Sequence, residues 1–148
     1  MSIQDLYRAA VIDHNRDPRN FEEMADATHR SRGLNALCGD DIRVYLRVSG
    51  ERIERVSFIG QASAITMASA SMMTERVASM TTAEAREMHQ ELKTLLTGDR
   101  VPDSARQRLG DLAALEGVRQ YPSRIKSATL PWQTLVAALD GDDVASTE

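Results

Sequence analysis

The sequence predicts an α+β fold in which a small antiparallel β-sheet packs against a group of helices. Two observations carry this. A stretch of two-residue hydrophobic alternation runs through residues 41–60, and helical spacing of apolar residues precedes and follows it. Strands and helices are grouped rather than interleaved, which argues against an alternating α/β sheet.

The opening residues read as a helix. Ser2 can cap it, and Ile3, Leu6, Tyr7, Ala10 and Val11 fall on one face. Asp17-Pro18 ends it, because a residue before proline is pushed out of helical geometry. Residues 24–32 can hold one short strand. Ile42, Val44, Leu46 and Val48 then alternate with Arg43, Tyr45 and Arg47, the pattern of a strand with one buried face. Ser49-Gly50-Glu51 turns the chain and 52–59 returns. Val56 and Phe58 share a face with which Ile53 is out of phase, so the return strand needs a bulge or a late start.

Residues 64–79 are rich in Ala, Ser and Met, and carry no charge before Glu75. Small residues around most of the circumference predict a central helix packed on several sides. Thr81 and Glu84 have capping-box spacing, and Gly98 can end the helix they open, whose stripe is Ala85, Met88, Leu92 and Leu95 or Leu96. Pro102-Asp103-Ser104 begins another helical stretch with Leu109, Leu112 and Leu115 as its stripe. Pro131 suits the first turn of a last helix carrying Leu135, Val136 and Leu139. The expected organisation is one domain over 1–139 and an acidic, frayed tail over 140–148.

The net charge of −4 leaves no long-range attraction for a phosphate backbone, which excludes nucleic acid as the expected partner. A single cysteine, Cys38, excludes an intrachain disulfide. Asp5 and Arg8 interrupt the apolar residues at the N-terminus, and no apolar run has the ~20 residues that span a bilayer. The expected location is cytoplasmic, away from membranes.

Cys38-Gly39-Asp40 is the candidate for chemistry. A thiolate and a carboxylate two residues apart can face one ion if the residue between them bends sharply, as glycine can. Sulfur and oxygen donors together suit zinc or iron. A lone cysteine is also a small buried hydrophobe, and adjacent aspartates such as Asp40 and Asp41 are ordinary turn residues. His14, His29 and His89 follow no ligand spacing. His14 reads as a helix-end contact beside Asp13, and His89 as a solvent-facing residue of a charged helix. Met67, Met72, Met73 and Met80 read as core packing. There is no Gly-rich phosphate loop and no H-E-x-x-H pair.

Four ordered segments together resemble one family. Leu6-Tyr7 with Asp13-His14-Asn15-Arg16-Asp17-Pro18-Arg19-Asn20 is similar to its opening motif, and Asn35-Ala36-Leu37-Cys38-Gly39-Asp40 to its first cysteine motif. The run Phe58 to Met73 and the run Tyr121 to Trp132 are similar to the segments that carry its second and third cysteines. The chain thus resembles the SufU branch of the U-type iron–sulfur assembly proteins. The long gap from Ser63 to Ser127, and Lys126 where the IscU branch has histidine, favour that branch.

The resemblance implies a scaffold or sulfur acceptor for iron–sulfur cluster assembly, with a SufS-type cysteine desulfurase and cluster carriers as partners. It implies that Cys38 accepts sulfur and that Cys38 and Asp40 are metal ligands. It implies zinc or a nascent Fe–S cluster as the family's cofactor. Ser63 and Ser127 stand where the family has its other two ligand cysteines, and Arg124 and Lys126 flank the site. A hydroxyl does not ionise as a thiol does, so the expectation is impaired metal binding or none. Two origins fit the serines: substitution in a working scaffold, or a natural relative that has lost its metal. The other function that fits is a metal-free module that binds and regulates a desulfurase or cluster carrier.

Overall fold

The computed structural model describes residues 1–147. Helix α1 spans Ile3–Arg16 and opens in a capping box, with the Ser2 hydroxyl accepting from the Asp5 amide. Its apolar face is only half covered. Tyr7 is buried, while Ile3 and Leu6 line an open groove of about 470 Å³ together with Ala113 and Ala114. Asp17 ends the helix as expected.

The opening motif then fastens itself to helix α2 (Ala64–Val77). Ser71 Oγ lies 2.7 Å from His14 Nδ1 and accepts from the Arg19 amide at 2.8 Å. Asn20, at φ 54°, gives its side-chain amide to Thr74 Oγ1. His14 is therefore buried against α2, and the expectation of a simple helix-end contact is corrected.

Strands β1 (His29–Asn35), β2 (Asp40–Ser49), β3 (Arg52–Gln61) and β4 (Val144–Ser146) form one sheet in the order β3-β2-β1-β4. The β2–β3 hairpin keeps the expected turn. Its register shifts between Arg47 and Val48, so that Arg47 faces Arg55 but Val48 faces Ile53. Glu54 is the extra residue of a bulge, and the bulge brings Ile53 into the core with Val56 and Phe58. The sheet departs from the antiparallel expectation at β4, which pairs parallel to β1. The tail expected to fray is thus hydrogen-bonded into the sheet edge, because β1 would otherwise leave its outer backbone groups without partners. Glu148 lies outside the described residues.

The remaining helices are α3 (Thr82–Thr97), α4 (Asp103–Leu109) and α5 (Pro122–Asp140). The Thr81–Glu84 capping box forms, and the expected α3 stripe is buried. His89 is buried with it and Nε2 lacks a partner, a correction to the solvent-facing reading: the helix packs on a wider arc than its stripe suggested. After α4 the chain tightens into 3₁₀ geometry over Gly110–Val118. Leu109, Leu112 and Leu115, spaced by three, then stack on one side and are fully buried.

Pro131 does not open the last helix. Pro122 does, and Pro131 lies inside α5. The backbone bond that proline forfeits would have gone to the Ser127 carbonyl, which instead takes the longer, 3.2 Å branch of a bond that the single Thr66 hydroxyl proton shares with Asp40. Helix α5 crosses the inner face of β1 and β2 and also packs on α2 and α3. It brings Trp132, Leu130 and Leu135 into a core shared with Ile42, Val44 and Leu46. Gly33 permits this approach, since a Cβ there would overlap Thr134 Oγ1. No helix among the described residues is long and apolar enough to cross a membrane.

Candidate functional site

The site lies where the β1–β2 connection meets the N-terminus of α2 and the first turns of α5. Asn35 pairs with Asp40 across the two strands, so residues 36–39 form a tight loop. Ala36–Cys38 make one 3₁₀ turn, and Gly39 closes it at φ 71°, donating its amide to the Ala36 carbonyl. This left-handed bend is the one the sequence asked of glycine. It displays Leu37, which is 74% exposed, and leaves Cys38 half-buried with a free thiol.

Asp40 is buried at 2% exposure. Its Oδ1 accepts from the Ser63 amide at 2.7 Å. Its Oδ2 accepts from Thr66 Oγ1 at 2.7 Å and from the Asn35 amide at 3.3 Å. Ser63 caps α2, and its hydroxyl also lies 3.0 Å from Thr66 Oγ1. Ser127 is buried in α5, where its hydroxyl leans 3.4 Å back to the Ser123 carbonyl. Thr66 therefore joins the carboxylate of Asp40, the cap at Ser63 and the backbone of Ser127.

The structure thus gathers Asp40, Ser63 and Ser127 around Thr66, with Cys38 on the adjoining loop. Arg124 and Lys126 are exposed on α5. Arg124 lies 4.3 Å over the Tyr121 ring, and neither basic residue donates a hydrogen bond to Cys38. Burial pushes the Tyr7 hydroxyl pKa up, against the pull of Arg124. Sequence reasoning gave no role to Thr66 or Asn35. The available signal was the spacing of Thr66, three residues after a cap at Ser63, which turns its hydroxyl toward the helix N-terminus. The groove beside Ile3 and Leu6 is roomier, but Cys38 is not among its lining residues and it holds none of this chemistry.

These donors do not fit a zinc ion. A structural zinc site takes four ligands from thiolate, imidazole and carboxylate groups. Here there is one thiol and one carboxylate, both of whose oxygens already accept internal hydrogen bonds. The two hydroxyls serve a helix cap and a backbone carbonyl. Among the described residues, no three of His, Cys, Asp and Glu are grouped so as to hold a metal.

The chain is 37% identical over 134 residues to the zinc-dependent sulfurtransferase SufU of Bacillus subtilis, covering 90% of this chain and 89% of that protein. It is 32% identical over 137 residues to the iron–sulfur cluster assembly scaffold protein IscU of Streptococcus pyogenes, covering 93% and 84%. Its fold superposes on the crystal structure of FiSufU, from the thermophile Fervidobacterium islandicum AW-1, with a TM-score of 0.84 at 29% identity, covering 92% of this chain and 98% of that one. Residues 6–128 match the NifU-like N terminal domain, and the chain belongs to that family.

Proposed function

We propose that this chain works in iron–sulfur cluster assembly as a sulfur acceptor, taking sulfur on Cys38 from a cysteine desulfurase without a resident zinc. The observation that supports this most is the burial of the Asp40 carboxylate beside a half-buried free thiol. Cys38 stands on the loop with a free thiol, while the carboxylate that could share a metal with it is satisfied from within. The SufU relative is named a zinc-dependent sulfurtransferase and the IscU relative a cluster assembly scaffold, which supports the assembly role, while the zinc-free part of the reading rests on the donors of this chain.

The transfer is an exchange at sulfur. The Cys38 thiolate attacks the outer sulfur of a persulfide on the desulfurase. One S–S bond forms, one breaks, and the desulfurase cysteine leaves as thiolate, with no net oxidation. Leu37, beside the thiol, gives the loop an apolar contact for the partner. The Ser63 backbone amide and the Ser127 carbonyl tie the base of the loop to α2 and α5 through Asp40 and Thr66.

Intact mass after incubation with a desulfurase and cysteine tests the reading. The expected result is a gain of one sulfur atom, removed by a thiol reductant and lost in Cys38→Ser. A chelator during the incubation should not reduce the gain. If no sulfur is taken up, Cys38 is not an acceptor. If uptake needs zinc, the metal-free reading fails, and a Ser63→Cys/Ser127→Cys variant would then show how much zinc the parental serines forfeit.

A further inference from the structure

The outer face of the sheet carries arginines in opposed positions. Arg47 on β2 faces Arg55 on β3, and Arg32 on β1 faces Arg43 on β2. Like charges directly across an antiparallel pair repel. The first pair is neutralised from within, because Asp26 lies between them, 3.7 Å from Arg47 and 3.4 Å from Arg55.

The second pair is not balanced in this way. Asp41 takes Arg32 in a two-pronged grip at 2.9 and 2.7 Å. That fixes the guanidinium of Arg32 and consumes the carboxylate. Arg43 has no ion pair or hydrogen bond with any described residue, and it exerts only a longer-range pull on Asp41. Arg30 adds a third positive charge on the same face, its guanidinium 5.5 Å from the centre of the Tyr45 ring. These side chains border a cleft of about 250 Å³ whose far wall is Asp143 and Val144. The clustering runs against the whole chain, which carries a net charge of −4.

We propose that this cleft binds a small oxyanion of two or more negative charges, held by Arg43 and Arg32 with Arg30 and Tyr45 as one wall. Guanidinium forks match the oxygens of phosphate and carboxylate groups in pairs. The cleft volume suits a ligand of a few heavy-atom groups rather than a polymer. Asp143 repels negative charge at its own rim, so the anion sits toward Arg43. Phosphate esters and polycarboxylates share this chemistry, and the test separates them.

Calorimetric titration at low ionic strength would use pyrophosphate in one arm and citrate in the other, on the full chain and on Arg43→Gln and Arg8→Gln. Arg8 is an exposed arginine on α1 and serves as the charge control. The expected result is saturable binding in at least one arm, weakened about tenfold or more in Arg43→Gln by loss of a charge-assisted contact and unchanged in Arg8→Gln. The arm that binds identifies the ligand chemistry. No saturable binding in either arm overturns the proposal. So does binding that Arg43→Gln leaves unaltered, or that Arg8→Gln weakens as much.

Discussion

Two buried polar networks hang on α2, and they differ in what they hold. Thr66 and Ser69 share one side of the helix and face α5, where Ser69 donates to the Ala128 carbonyl and the Thr66 hydroxyl, donating mainly to Asp40, lies 3.2 Å from the Ser127 carbonyl. Ser71 and Thr74 share another side and bind the opening motif through His14, Arg19 and Asn20. Both networks are built from short hydroxyl side chains, which is why a central helix can be small all round and still be specific. The α5 side ends at a buried carboxylate at the base of the Cys38 loop, whereas the α1 side ends at an imidazole and closes on itself. A lost donor at the first strands a charge. A lost donor at the second strands a neutral group, which costs less.

Thr66 offers the strongest way to break this comparison. Thr66→Val keeps the shape and removes the hydroxyl, leaving Asp40 Oδ2 with only the 3.3 Å bond from Asn35. Urea unfolding should show a loss of about 2–3 kcal/mol, the cost of an unsatisfied buried charged acceptor, and Thr66→Ser should recover most of it. A loss within the range of an ordinary surface change would mean that water replaces the hydroxyl and that the network is not a closed one.

The α1 network makes a different prediction, in pH. Burial holds the His14 pKa below its ordinary 6.5, with Arg19 pushing the same way against Glu75 and Asp13. Ser71 Oγ accepts from the Arg19 amide and lies 2.7 Å from His14 Nδ1, so it ties the imidazole to the opening motif. The unfolded chain takes up a proton near pH 6.5 that the folded chain refuses. Stability from this group is therefore complete above pH 6.5 and falls as the pH drops through 6.5 toward the lowered value. His89, also lowered by burial, adds to the same slope. His14→Asn, whose side-chain amide can still hydrogen-bond Ser71, should flatten the fall between pH 7.5 and 5.5 without abolishing it. An unchanged slope would put the titration elsewhere.

What could be read from the sequence follows the same physics. The β2–β3 hairpin and its bulge were legible because Ile53, Val56 and Phe58 are apolar and their phase is visible. β1 was faint because its buried positions are Ser31, Gly33 and Asn35, which carry no hydrophobic period. β4 was hidden because three residues of an acidic tail pair with a strand more than a hundred positions away. Leu109, Leu112 and Leu115 announced a helix, but only the repeat of exact threes hinted at 3₁₀ geometry. Pro131 misled because proline at a first turn is common, and only the Thr66 contact shows how an internal one is tolerated. Cys38 and Asp40 were singled out by their spacing around Gly39, and Ser63 and Ser127 only through resemblance. The hydrogen bonds that set the direction of Asp40 required three segments of chain to be seen together.

The smallest expected effect sharpens the account of Thr66 itself. Pro131→Ala would supply an amide able to bond the Ser127 carbonyl, and would relieve the ring's crowding in α5. It would also return conformational freedom to the unfolded chain, worth about 0.4–1 kcal/mol. The two effects oppose, so the single variant should change stability by about 1 kcal/mol at most, in either direction. The informative quantity is the coupling. In the Pro131→Ala background the Ser127 carbonyl no longer depends on Thr66, so Thr66→Val should cost less than it does in the parent chain. A double-mutant cycle in urea measures that difference. An equal cost in both backgrounds would mean that Thr66 matters only for Asp40, and that the internal proline is tolerated without its help.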